Sequence, residues 1–255
     1  MKTHPQAELA IIGGSGLNEL EFLQQATTHE METPWGAPSC PILLGQWQGK
    51  SIAFLARHGR PHHLPPHAIN YRANIFALKQ LNVRAVVAVN VVGGIHVSMR
   101  QPGQWVVPDQ MIDYTHGRMN SFCDAPGEAV KHIDFSFPYD ESIRQSLLEV
   151  MKSLKIHCNP TGVYGCTQGP RLETLAEIVR MQRDGCGIVG MTGMPEACLA
   201  RELDLAYASL CLVVNPAAGL AQGVVSLEDI ERQMQQGMVT ARRILSAWVE
   251  AHRVP

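Results

Sequence analysis

No membrane-length hydrophobic run, no excess of either charge and no paired-cysteine motif occurs in the 255 residues. The longest apolar stretch, around Val83 to Val92, is interrupted by Arg84 and Asn90 and falls well short of the ~20 residues that a bilayer-spanning helix needs. Lys and Arg total 21 against 23 Asp and Glu, a formal balance of −2, so no overall field draws the chain to nucleic acid or anionic lipid. A local arginine site for a small anion is compatible with that balance. The seven cysteines, at 40, 123, 158, 166, 186, 198 and 211, show neither CxxC nor zinc-finger spacing, and the reading is reduced, mostly buried thiols. Met1 to Glu8 are polar and lead straight into Leu9-Ala10-Ile11-Ile12-Gly13 without the apolar stretch and cleavage site of a signal peptide, which predicts a cytoplasmic protein.

What is present is ordinary globular material: 45% hydrophobic and 17% charged residues, enough to bury a substantial core. Residues 9–13 read as a short buried strand ending in Gly13-Gly14-Ser15-Gly16. Pro41 to Trp47 and Ser51 to Ala56 flank Gln48-Gly49-Lys50 as a hairpin that runs into Arg57-His58-Gly59-Arg60. The spacing predicts a helix over about 68–81, then a strand over 85–92 that ends in Gly93-Gly94. Further strands are expected at 105–107, 163–166, 188–191 and 205–214, and helices at about 140–153, 172–183 and 195–203. Ser226-Leu227-Glu228-Asp229 has the form of a capping box opening one long helix to about Ala251. This alternation predicts an α/β fold, a central mixed β-sheet flanked by helices. No repeat, low-complexity tract or linker divides it, so one domain over 1–255 is expected.

Four segments carry candidate chemistry. The loop Gly13-Gly14-Ser15-Gly16 is either a tight turn or an anion cradle, since glycines let backbone N–H groups converge on a phosphate. A dinucleotide fingerprint starting at Gly14 would need glycine where Glu19 stands, and the Gly-Lys-Ser/Thr that a P-loop needs after its glycines is absent from this loop. Residues 57–67 hold two arginines and four histidines. A zinc site at His58, His62, His63 and His67, an oxyanion site and a solvated basic loop are three readings; guanidinium forks favour the oxyanion. Gly169-Pro170-Arg171-Leu172-Glu173-Thr174 and Gly190-Met191-Thr192-Gly193-Met194-Pro195-Glu196 lie where strands give way to helices. Val213-Val214-Asn215-Pro216-Ala217-Ala218-Gly219 ends a buried run with a carboxamide. Each is explained alone as a cap or turn, but carboxyl ends of strands in α/β sheets are also where ligands bind.

Taken in order, Ile11 to Gly16, Arg57 to Arg60, Asn70-Tyr71-Arg72-Ala73-Asn74, Gly169-Pro170-Arg171, Met191-Thr192 and Met194-Pro195-Glu196 resemble the trimeric nucleoside phosphorylase family, the branch holding purine nucleoside and methylthioadenosine phosphorylases. The match runs over nearly the whole chain. The resemblance implies a homotrimer that uses inorganic phosphate as co-substrate to cleave a purine from ribose, without metal or organic cofactor. It implies phosphate at Ser15, Arg57, His58, Thr192 and around Asn90-Val91, where relatives commonly carry Thr or Ala in place of Asn90. Met191 is expected against the ribose and Leu172 against the purine face, where many relatives stack an aromatic. His62 aligns with a residue that relatives lend to the neighbouring subunit. Arg57 and His58 orient phosphate as Asn215 serves the leaving base.

The base is read from polarity. The adenine-specific branch places acids where Asn215 and Ala217 stand, and this chain has neither. Asn215, next to Pro216, offers a donor and an acceptor, which suits O6 and a protonated N7; Glu173 suits N1–H of a 6-oxopurine, whereas N1 of adenine is an acceptor. At the 5′ end no histidine occurs between His157 and His252 to meet a hydroxyl, while Leu227 and Ile230 share one helical face suited to a thioether, or to core packing. The combination resembles that of methylthioinosine phosphorylases. Methylthioadenosine phosphorolysis, general inosine/guanosine phosphorolysis, and a non-catalytic purine- or anion-binding protein are the alternatives.

Overall fold

The computed structural model describes residues 6–17, 23–123, 129–221 and 226–252. Glu19, and residues 222–225 of the loop that leads into the last helix, lie outside them. The long apolar runs form the centre of one eleven-stranded sheet. β1 (Leu9–Gly13), β4 (Lys50–Ala56), β5 (Ala85–Gly94) and β11 (Ala206–Pro216) are mutually parallel neighbours in the order β4-β1-β5-β11. β1 is buried throughout and the other three over most of their length; strands covered on both faces need apolar residues at successive positions instead of alternation. β3 (Ile42–Trp47) closes the expected hairpin on β4, with Gln48 and Gly49 both at positive φ, as a two-residue hairpin turn requires. β2 (Gln24–His29) extends that edge.

A second parallel group consists of β7 (Gln110–Asp113), β9 (Val163–Cys166) and β10 (Cys186–Gly190). It joins the first group antiparallel, through Ile188 opposite Gly94 and Val189 opposite Gly93. The carboxyl ends of both groups therefore meet tail to tail. β6 (Trp105–Val106) and β8 (Cys158–Asn159) extend the β11 side.

Among the described residues, five α-helices cover the sheet. α1 (Tyr71–Gln80) starts later than expected because Pro66–Ala68 form a separate 3₁₀ turn and Asn70 caps the helix, accepting from Ala73 N. α2 (Glu141–Ser153) is capped by Asp140. α3 (Leu175–Arg183) begins three residues after the expected start because Thr174 and Glu177 form a reciprocal capping box there. In α4 (Gly193–Glu202) Met194 is extended, φ −117° and ψ 138°, so regular turns begin at Pro195 as the sequence suggested. α5 (Leu227–Ala251) is capped by Ser226, but Asp229 pairs with Arg232 and not with the cap backbone, so the expected box is half formed. Its Met234 and Met238 press on Gly16, whose φ of +82° and missing Cβ admit them.

Candidate functional site

The strand ends converge on one cavity of about 280 Å3. Gly14 and Ser15 reach it from β1, Arg57 and His58 from β4, and Asn90 to Gly93 from β5. Met191 and Thr192 follow β10, Asn215 and Ala217 come from the end of β11, Leu172 and Glu173 precede α3, and Leu227 and Ile230 stand on the first turn of α5. Of the site residues expected from sequence, His62 and Pro216 do not line this cavity. His62 is exposed and stacks on the His58 ring at 4.3 Å. Pro216 acts through its carbonyl, which accepts from Asn215 Nδ2 at 2.7 Å.

The glycine loop must approach Arg57 closely: a Cβ on Gly14 would lie 2.6 Å from Val89 O and 3.0 Å from Arg57 Nη1. Arg57 itself is fully buried, and its fork is turned onto a partner that the sequence reading did not assign. Nε donates to Glu196 Oε2 at 2.6 Å and Nη2 to Oε1 at 2.8 Å, while Tyr207 OH also donates to Oε1 at 2.8 Å. With Nη1 donating to Val89 O, three of the guanidinium's five N–H groups are engaged. Burial opposes the charge, but the Glu196 carboxylate outweighs it and holds Arg57 cationic. The pair presents a fixed dipole whose net charge is already cancelled, and two guanidinium N–H groups remain.

His58 is likewise engaged within the protein. Its Nδ1 donates to Leu64 O at 2.8 Å, because a carbonyl can only accept, so the donor expected for an anion is spent. Burial and then the neighbouring Arg57 charge push its pKa down to about 4, which leaves a neutral ring with Nε2 as an acceptor. His63 likewise gives Nδ1 to Pro61 O, and the face-to-face stacking of His58 and His62 does not converge their nitrogens on a point. Among the described residues no group of three His, Cys, Asp or Glu converges as metal ligands would.

Asn90 is buried and bridges two hydroxyls, accepting from Thr192 Oγ1 at 2.9 Å and donating to Ser209 Oγ at 2.5 Å. It fixes the Thr192 side chain on the cavity wall. On the other wall, Thr167 Oγ1 donates to Glu173 Oε1 at 2.6 Å. Asn215, turned by the register shift of β11 between Val213 and Asn215, keeps Oδ1 without a donor among the described residues. Ala217 is buried, Leu172 is 44% exposed and Leu227 69% exposed, so the last two form an apolar rim at the mouth.

Arg118 ties these walls together from behind. Its guanidinium donates to Met191 O at 2.9 Å and Met194 O at 2.5 Å on one side, and to Thr167 O at 3.3 Å and Gln168 O at 2.8 Å on the other. These carbonyls lie past the ends of β10 and β9, where the sheet no longer pairs them, and unpaired carbonyls need donors. Sequence reasoning missed Arg118, Thr167, Ser209 and Tyr207. Glu196 was noticed in its motif, but nothing local signals its partner.

The Phosphorylase superfamily model matches residues 8–250. A probable S-methyl-5′-thioinosine phosphorylase of Pseudomonas syringae pv. tomato is 54% identical, the match covering 93% of this chain and 98% of that protein. A probable 6-oxopurine nucleoside phosphorylase of Dictyoglomus turgidum is 41% identical over 94% of this chain and 89% of its own. Among solved structures, a methylthioadenosine phosphorylase from an antarctic soil metagenomic library superposes with a TM-score of 0.90 at 36% identity, covering 96% of this chain and 86% of that one. Together with the tail-to-tail sheet and the cavity at its seam, these matches establish that the chain belongs to the phosphorylase superfamily.

Proposed function

We propose that the cavity carries out phosphorolysis of S-methyl-5′-thioinosine to hypoxanthine and 5-methylthioribose 1-phosphate, a step of purine and methylthioadenosine salvage. Family membership makes the enzyme a pentosyltransferase of the purine nucleoside phosphorylase type; the substrate is read from the side chains. An oxygen of hydrogen phosphate bonds to C1′ as the C1′–N9 bond breaks, and the bonding electrons leave with the purine; its N7 takes up a proton from solvent, balanced by the proton that phosphate gives up. Phosphate is held by Ser15 and the remaining Arg57 N–H groups, with Thr192, oriented by Asn90, and Val91 against it. Neutral His58 accepts from a protonated phosphate oxygen. Holding phosphate in line converts a bimolecular encounter into an effectively intramolecular one. Inorganic phosphate is a co-substrate, and the reaction calls for no further cofactor.

The observation that carries the reading is the polarity of the base wall. Asn215 Oδ1 has no donor among the described residues and so suits N7–H; Glu173 offers an acceptor to N1–H; Ala217 offers nothing to a 6-amino group. Leu172 and Met191 supply apolar contact with base and ribose. Leu227 and Ile230 line the cavity from α5 and suit a methylthio group better than a hydroxyl. The exposed His62, outside its own cavity, fits a homotrimer in which it enters the neighbouring subunit's site. No described helix is long and apolar enough to cross a membrane.

Initial rates of base release from methylthioinosine, methylthioadenosine and inosine, with and without phosphate, test this reading. Phosphate-dependent cleavage fastest on methylthioinosine supports it. Preference for methylthioadenosine overturns the base assignment, preference for inosine overturns the 5′ assignment, and no turnover favours a binding protein.

A further inference from the structure

We infer that Thr167 is a specificity-determining positioning residue: its hydroxyl holds the Glu173 carboxylate in place for a 6-oxopurine. This rests on the base assignment proposed above. Glu173 stands on a wall shared by two cavities, the one of about 280 Å3 already described and a second of about 660 Å3 bordered by Asp113, His116 and Arg171. A half-buried carboxylate in such a wall has two places to go. Arg171, which borders the second cavity, is already paired with Glu177 at 2.7 and 2.8 Å, so it does not fix the Glu173 carboxylate.

Thr167, which borders the second cavity together with Glu173, anchors the carboxylate where it stands. Its Oγ1 donates to Glu173 Oε1 at 2.6 Å, and its own backbone is fixed because Thr167 N donates to Gly190 O at 2.8 Å. The hydroxyl also lies 3.3 Å from Gly190 O, but its single proton goes to the closer, charged Oε1 and commits it as an acceptor, while Oε2 has no hydrogen bond among the described residues and is left to accept from the base. A hydroxyl is needed for this and a methyl group of the same shape cannot supply it. The residue lies just past β9, six positions before Glu173, so strand and carboxylate are linked within one short loop.

The test compares kcat/KM for methylthioinosine and methylthioadenosine at saturating phosphate in the wild type and in Thr167→Val, Thr167→Ser and Glu173→Gln. Loss of a hydrogen bond to a charged group predicts that Thr167→Val lowers the methylthioinosine-to-methylthioadenosine ratio about tenfold, with methylthioadenosine changed less than about twofold, and that Thr167→Ser restores the ratio. A merely structural role would depress both substrates together. If Thr167→Val leaves the ratio unchanged while Glu173→Gln collapses it, the inference about Thr167 is overturned and the base assignment stands. If Glu173→Gln also leaves it unchanged, the base assignment fails and takes the inference with it. Should Thr167→Val not fold, Thr167→Ala, which fills less space and likewise lacks the hydroxyl, is judged by the same ratio.

Discussion

Replacing Glu196 by Gln removes the charge that balances Arg57 while keeping the shape of the side chain. Both partners are fully buried, and the carboxylate receives Arg57 Nε at 2.6 Å, Arg57 Nη2 at 2.8 Å and Tyr207 OH at 2.8 Å. An amide offers one acceptor and sets an NH2 against a guanidinium donor, leaving a buried cation uncompensated. Breaking one half of a buried pair costs about 3–5 kcal/mol. With an unfolding entropy of roughly 0.5 kcal/mol/K for a chain of this length, the midpoint should fall by about 6–10 °C. Bound phosphate would then be the only anion available to Arg57. The variant should accordingly gain more thermal stability from phosphate than the wild type does, since a ligand stabilises in proportion to its preference for the folded state. Thermal melts of both proteins over a phosphate titration measure this. An equal or smaller phosphate increment in Glu196→Gln would refute the placing of Arg57 at the phosphate site.

Three further outcomes are expected. The double substitution Asn215→Asp with Ala217→Asp should move the ratio of kcat/KM toward methylthioadenosine by about a hundredfold, each polar mismatch being worth ~1–3 kcal/mol; an unchanged ratio in the folded double variant counts against the base wall. The depressed His58 pKa means the unfolded chain takes up a proton near pH 6.5 and the folded one only near pH 4, so its contribution to stability is complete above about pH 6.5 and falls on acidification toward pH 4. That contribution is on the order of 3 kcal/mol, and urea unfolding across this window should show a weaker acid slope in His58→Asn than in the wild type. Leu227→Ser should lower the preference for methylthioinosine over inosine about threefold through lost apolar contact, and steady-state rates with no change in that preference would place the 5′ group elsewhere.

The parts of the molecule readable from sequence are those whose signal is local. Continuous apolar runs marked β1, β5 and β11, glycines and prolines marked their ends, and the ordered motifs at 57–60, 169–174 and 191–196 marked the cavity. β2 escaped because Gln24–His29 is a polar, exposed edge strand, held only by pairing with β3. β8 has two residues and no periodicity to detect. Arg57 lines the cavity, but its ion pair was not legible, since nothing in Arg57-His58-Gly59-Arg60 reveals that a carboxylate 139 positions away occupies part of its fork. Arg118 had no motif at all: its role comes from four carbonyls that the strand ends leave unpaired, and a lone arginine in an irregular segment reads as surface charge.

The seam where the two parallel groups meet also fixes an order of events. The hydrogen bonds that cross it join Arg57 to Glu196 and Thr192 to Asn90, residues 139 and 102 positions apart. As a ribosome delivers the chain, β1 to β5 emerge long before either partner from the other side exists. Until α4 arrives, a closed N-terminal sheet would trap the Arg57 cation without its counter-charge, so that sheet must stay open to water around its own carboxyl edge. Contacts of such sequence separation form slowly. The cavity at the seam is therefore among the last parts of the fold to close, and a nascent chain halted before residue 196 is expected to lack it.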